Sequence, residues 1–229
     1  MDEAENKPDF FDPEKELTKS DWNEINQQID FLKSRPYEKY NFYRLISSAK
    51  ILGSDRYPDI PTDWDVSALL TKYRKDSPMF LAFVSCLKTI DPSFEVKIDD
   101  RELEEMVNSV FLADTVLMVK RIAPAWNSLP QDEIDSMENY LAREDRPTGS
   151  HYWTVFAKNQ LALRKLGIVM PKITAQEWVQ MKTKLKELRE LRSSQFAELA
   201  ANMTELAKGK WKEAFTESLV PPQPPTRKF

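Results

Sequence analysis

Few residues in this 229-residue chain could carry chemistry, for it holds one Cys, one His, and 4 Gly against 15 Pro. His151 follows Gly149-Ser150 and precedes Tyr152-Trp153, where the pattern predicts a helix start. The positive end of a helix dipole disfavours imidazolium and suits a neutral imidazole, the form a proton-transfer site uses. No nucleophile motif or Glu-x-x-His metal pair stands beside it, so capping and packing explain it more simply. Cys86 lies among Phe83, Val84 and Leu87. A reactive thiolate needs an electropositive, partly open setting, and this one reads as a small buried hydrophobe. A lone cysteine excludes an internal disulfide and a Cys-based zinc site, and it points to a reducing compartment, the cytoplasm being the expected location.

Carboxylates are plentiful, and paired acids can hold a metal or run acid–base chemistry. Asp63-Trp64-Asp65 is such a pair, but both acids fall in a predicted first helical turn, where the dipole already accounts for them. Asp59 with Glu95-x-Lys97 imitates the acid, acid-x-lysine pattern of metal-dependent nucleases. That chemistry needs acids on neighbouring strands, and Phe94–Ile98 is the one strand-like alternation here. Asp99, Asp100, Glu102, Glu104 and Glu105 read as a solvated helix start. The four Gly stand apart at 53, 149, 167 and 209, which excludes the clustered glycines of phosphate-cradling loops. The expectation is a non-enzymatic protein with no catalytic residue, metal or cofactor. A carboxylate-based metal-dependent enzyme stands as the alternative from another class.

The elements that would position any site are helical. Low Gly and 31% charged residues favour helix over sheet, and 41% apolar residues suffice for a core. The predicted fold is all-α, a bundle of about seven to eight helices with a long C-terminal helix and extended terminal arms. Its organisation reads as an acidic arm over 1–18, a helical domain over 19–218 with a possible sub-boundary near 122–130, and a Pro-rich tail over 219–229. Ser20 is expected to cap a first helix carrying Trp22, Ile25, Ile29 and Leu32. A second spans about Tyr37 to Leu52 with Gly53 as its stop. Thr62 opens a third, and Ser77-Pro78 opens a fourth, apolar nearly all round, which reads as the central buried helix. Further helices start at Asp99, near Ser128-Pro130, and at Ser150, the last ending at Gly167.

Thr174 and Glu177 form a capping box that opens a helix from about Ala175 to Lys208, roughly 50 Å long. Its seam of Trp178, Met181, Leu185, Leu188, Arg192, Phe196, Leu199, Met203 and Leu206 is heptad-like with one stutter at Arg192 to Phe196. Packing along its own bundle is the plainer reading, and zipping to a second copy or a helical partner is the other. No internal repeat is found. The longest apolar run, Met79 to Leu87, is about half of a membrane span, and the acidic Met1 to Glu5 lacks the apolar region of a secretory signal. No membrane association is expected.

Net charge is −4 but unevenly placed, at −7 over residues 1–30 and +7 over residues 158–229. Lys182, Lys186 and Arg189 share a helical face, and Lys208, Lys210 and Lys212 surround Trp211. Cations neutralise phosphates and aromatic faces stack on bases, so these seven residues are candidates for single-stranded nucleic acid. Interleaved Glu187, Glu190, Glu205 and Glu213 favour a plain solvated face instead. A third outcome is that the acidic N-terminal segment docks on the basic helix, of this chain or of a neighbour. Two terminal motifs look made for docking. Pro222-Gln223-Pro224-Pro225-Thr226-Arg227 fits a polyproline ligand, with Pro222, Pro225 and Arg227 as its contacts. Phe10 and Phe11 place two aromatics in a charged tail, where they are expected to strap onto this fold or a second copy. The leading expectation is a helical structural or interaction protein, self-associating as a homo-oligomer through its arms and C-terminal helix. A coat or nucleoprotein-like subunit is the alternative.

Overall fold

The computed structural model describes residues 13–35, 39–53, 65–107, 112–143, 152–168, 172–193 and 195–208. They form α1 (Pro13–Glu16), α2 (Lys19–Lys33), α3 (Lys39–Ile51), α4 (Val66–Tyr73), α5 (Ser77–Ile90), α6 (Asp100–Val107), α7 (Leu112–Ile122), α8 (Gln131–Leu141), α9 (Tyr152–Lys165), α10 (Ala175–Glu190) and α11 (Gln195–Leu206). The all-α class is as predicted, and the described residues contain no strand; Phe94–Ile98 is irregular. There are more helices than expected, in part because α1 is a separate single turn and the C-terminal helix is two.

Side-chain caps set several boundaries. Thr18, not Ser20, opens α2: its hydroxyl accepts from the Asp21 N–H, and the Asp21 carboxylate accepts from the Thr18 N–H at 2.8 Å. The Asp21 carboxylate completes the reciprocal box that Ser20 lacks. Asp65 caps α4, Asp76 caps α5 with Pro78 in its first turn, and Asp99 accepts from the Glu102 N–H at 2.7 Å to open α6. The Thr174–Glu177 box forms as predicted. Gly53 and Gly167 take φ of +92° and +81° at the ends of α3 and α9, a left-handed region open to glycine at little cost.

The expected continuous helix over 175–208 is corrected. It breaks after Glu190, where the Ser193 N–H donates to the Leu188 carbonyl at 3.0 Å and Arg192 takes φ of +51°. That is a Schellman ending with arginine in the glycine position, and the Ser193 hydroxyl then accepts from the Gln195 N–H at the start of α11. The break falls on the polar member of the seam. Continuing straight would turn Phe196 and Leu199 away from the core that Trp178, Met181 and Leu185 enter. With the turn, every apolar seam residue is buried in its own bundle.

Packing arranges the odd-numbered helices in a closed ring: α3 packs on α5, α5 on α7, α7 on α9, α9 on α11, and α11 back on α3. The even-numbered helices lie against it, α2 on α3, α4 on α5, α6 on α7, α8 on α9 and α10 on α11. No sequence repeat announces these five helix pairs. Tyr43 of α3 meets Phe83 of α5 edge-to-face at 4.9 Å, and Tyr73 of α4 meets the same ring at 5.2 Å. Phe80, Phe83 and Val84 are fully buried, so α5 is a central helix as expected.

Candidate functional site

Ring closure places charge where apolar side chains are the norm. On α9, Lys158 sits between Ala157 and Leu161, both fully buried, and reaches Asp114 of α7 at 2.8 Å and Glu198 of α11 at 3.0 Å. Glu198 also takes a charge-assisted hydrogen bond from Arg44 of α3. Seven residues further along each of the three helices lies a second layer. There Glu205 accepts from Lys165 at 3.1 Å and from Arg121 at 3.2 Å. Since 114, 158 and 198 advance together to 121, 165 and 205, α7, α9 and α11 run in the same direction, with the layers about 10 Å apart.

These contacts set the charge states. Burial alone would raise the Glu198 carboxyl, but Lys158 and Arg44 outweigh it and hold the group below its ordinary range. The same balance, with Arg121 and Lys165 as the cations, depresses Glu205. Burial would lower Lys158, and Glu198 with Asp114 reverses that, so the ammonium is held protonated. Burial pushes the Cys86 thiol up against a hydrogen bond from Ser47 at 3.6 Å, the small buried residue that its neighbours predicted. These groups are locked away from the neutral range in which a proton-transfer residue works.

Between the layers is a cavity of about 60 Å³, lined from all five ring helices and including Tyr40, Ser85 and Asn202. Ser85 Oγ and Asn202 Nδ2 are buried without a hydrogen-bond partner, and a polar space of this size suits a few bridging waters. Arg44, Ser48 and Glu198 also line a larger cleft of about 300 Å³ with Leu32, Asn41 and Gln195.

The residues expected to bind partners are placed as follows. Lys182 pairs with Glu16 at 3.2 Å, and Arg189 pairs with Asp21 at 2.8 Å while donating to the Glu16 carbonyl. Lys186 and Lys208 are exposed. Phe10, Phe11, His151, Asp59, Lys210, Trp211, Lys212, Pro222, Pro225 and Arg227 lie outside the described residues. Glu95 is exposed, and among the described residues no group of three His, Cys, Asp or Glu converges to hold a metal. None of their helices is long and apolar enough to cross a membrane.

The ion layers themselves were missed in the sequence reading. Their signal is present as a charged residue on an apolar face repeated at seven-residue spacing, in 114/121, 158/165 and 198/205. No protein-family model, curated protein or solved structure matches this chain.

Proposed function

We propose that this chain is a non-enzymatic helical interaction protein that self-associates through its terminal segments. The observation that carries the reading is the strap at the N-terminus. Glu16 and Asp21 hold the start of the chain on the basic face of α10 through Lys182 and Arg189, with Leu17 buried beside them. An acidic segment held on a basic helix by ion pairs is exchangeable, because a second copy offers the same partners in the same geometry. Residues 1–12 add five acids and the Phe10-Phe11 pair to that segment. The locked charge states of the ring interior support a role by contact over one by catalysis. A reducing compartment such as the cytoplasm suits the single thiol. Sedimentation velocity over a concentration series, on the full chain and on a variant lacking residues 1–12, tests the proposal. The expected result is a mass that rises with concentration and falls on deletion; one-chain mass throughout refutes it.

A second reading, a coat or nucleoprotein-like subunit on single-stranded nucleic acid, is favoured by one observation. The parallel α7, α9 and α11 end together, with Lys120 and Arg121 in the last turn of α7, Arg164 and Lys165 in that of α9 and Lys208 just past α11, and Glu205 pairing with Arg121 and Lys165. The Lys182–Arg189 face supports it less, since two of its three cations already serve acids of this chain. Anisotropy of a labelled oligothymidine should fall steeply with salt, and no binding at low salt removes this reading.

A further inference from the structure

The cations that the ring turns toward its ion layers have acids: Lys158 has Asp114 and Glu198, and the partly buried Arg121 and Lys165 share Glu205. Arg164, in the last turn of α9, does not. It is 8% exposed, and both Nε and Nη2 are shielded from solvent without a hydrogen-bond partner. No acid offsets its burial, which pulls the guanidinium down from its ordinary value. A guanidinium keeps its charge in a protein, so an unpaired one at this depth is costly.

Nε and Nη2 are the two donors of one edge, the side-on fork that takes both oxygens of a carboxylate. Arg74 uses that same edge on Glu102, with Nε at 2.9 Å from one oxygen and Nη2 at 2.7 Å from the other. Arg164 is a second copy of the fork with nothing in it. One turn earlier on the same face of α9 is Gln160, 3% exposed, whose Oε1 is an acceptor with no donor. The pair therefore asks for a ligand that brings an anionic acceptor and a hydrogen-bond donor together. An acidic peptide does so, offering a carboxylate to the fork and a backbone N–H to the amide oxygen, whereas a phosphodiester brings only acceptors.

We propose that Arg164 and Gln160 form a docking site for an acidic peptide segment, and that its occupant is residues 1–12 of a second copy of this chain. The assignment rests on the self-association reading above. Among the described residues neither donor of the fork finds an acceptor, and charge complementarity selects the occupant. The segment has the required chemistry, with Asp2, Glu3, Glu5, Asp9 and Asp12 against one lysine. Arg164 stands in the last turn of α9, and docking requires its buried edge to turn outward to meet the incoming carboxylate.

The test uses a fluorescein-labelled peptide of residues 1–12 and the full chain with those five acids changed to their amides. The peptide should bind, Arg164→Gln should weaken it roughly 10- to 100-fold, and Arg164→Lys should restore only part because an ammonium cannot fill a side-on fork. Gln160→Leu should weaken it several-fold while leaving the guanidinium in place, and this variant carries the test if Arg164→Gln fails to fold by circular dichroism. Unchanged affinity in Arg164→Gln, or in Gln160→Leu where that variant carries the test, overturns the assignment. So does a single-stranded oligonucleotide whose binding depends on Arg164 while the peptide's does not, since the fork then serves phosphate. Sedimentation of the wild type separates the two proposals. Self-association that survives Arg164→Gln refutes this site alone, and a one-chain mass at every concentration refutes self-association and with it a second copy as the occupant.

Discussion

Removing the acid from each ion layer in turn should have unequal effects. Glu205 is the acid of its layer, held by Lys165 at 3.1 Å and Arg121 at 3.2 Å. At an effective dielectric constant of about 20, each contact contributes roughly 5 kcal/mol of attraction before desolvation is counted. The cation side chains are 18% and 22% exposed, so Glu205→Gln strands two like charges with little access to water. Removing one partner of a buried pair costs about 3–5 kcal/mol, and the upper half of that range applies here. Glu198→Gln also removes an acid from between two cations. In that layer, however, Lys158 keeps Asp114 at 2.8 Å, and the Arg44 side chain, 43% exposed, can turn to solvent. Its cost should be about 1–2 kcal/mol, in line with the loss of a charged hydrogen bond. Urea unfolding followed by circular dichroism at 222 nm measures both through the shift in midpoint at constant slope. Against a typical total of about 5–15 kcal/mol, the Glu205 variant loses a large part of its stability and the Glu198 variant a small part. A Glu198→Gln cost equal to or above that of Glu205→Gln would refute the argument that the second acid, Asp114, carries the difference. Lys165→Met introduced into Glu205→Gln should recover part of the loss, because it removes one of the stranded charges.

Three further outcomes follow from the same geometry. Glu198 and Glu205 have folded-state pKa values below the unfolded one, so their contribution is complete above the ordinary glutamate range of about 4.3–4.5 and is lost as pH falls through the depressed values. Acid unfolding should therefore set in below about pH 4, with Glu205→Gln showing a shallower decline than wild type. Tyr40 and Tyr43 are pushed up to about 12 by burial, with Cys86 adding to the effect at Tyr40. Their contribution is complete below the unfolded value near 10 and is lost as pH rises toward 12; absorbance at 295 nm should show these two tyrosines titrating late, with Tyr73 and Tyr140 also raised by burial, and ordinary titration of all four near 10 in the folded protein would contradict their burial. Arg192→Gly should raise stability by about 0.5–1 kcal/mol in the same urea assay, since a side chain at φ of +51° costs about 1–2 kcal/mol and glycine's extra chain entropy returns part of it. A loss instead would show that the long Arg192–Glu24 contact at 4.0 Å outweighs the backbone strain.

Local rules were legible along the chain wherever neighbouring residues settle them. The capping box at Thr174–Glu177, the glycine stops at 53 and 167, the buried apolar helix from Ser77 and the buried Cys86 all depend on side chains within a few positions of one another. Even the misread features carry a local mark. Thr18 with Asp21 makes the reciprocal cap that Ser20 cannot, and Arg192 is the polar member of an apolar seam followed by Ser193-Ser194. The all-α class follows from the same short-range terms, because helix periodicity and scarce glycine are properties of segments.

Which segments meet belongs to a different order of information. Closing α3, α5, α7, α9 and α11 into a ring joins Asp114, Lys158 and Glu198 across 84 positions of sequence, and no local pattern says that an acid on one helix will face a base on another. The seven-residue repeat of these charges is visible in the sequence, but a charge on a helix is ordinarily solvated, and only the ring's curvature turns all three inward. Tertiary packing also pairs Lys182 with Glu16 and Arg189 with Asp21, contacts that the spacing of the two cations along α10 does not announce. It also leaves Arg164 Nε and Nη2 and Gln160 Oε1 buried without hydrogen-bond partners. Composition sets how many charges the chain carries; packing sets which of them are neutralised from within and which are not.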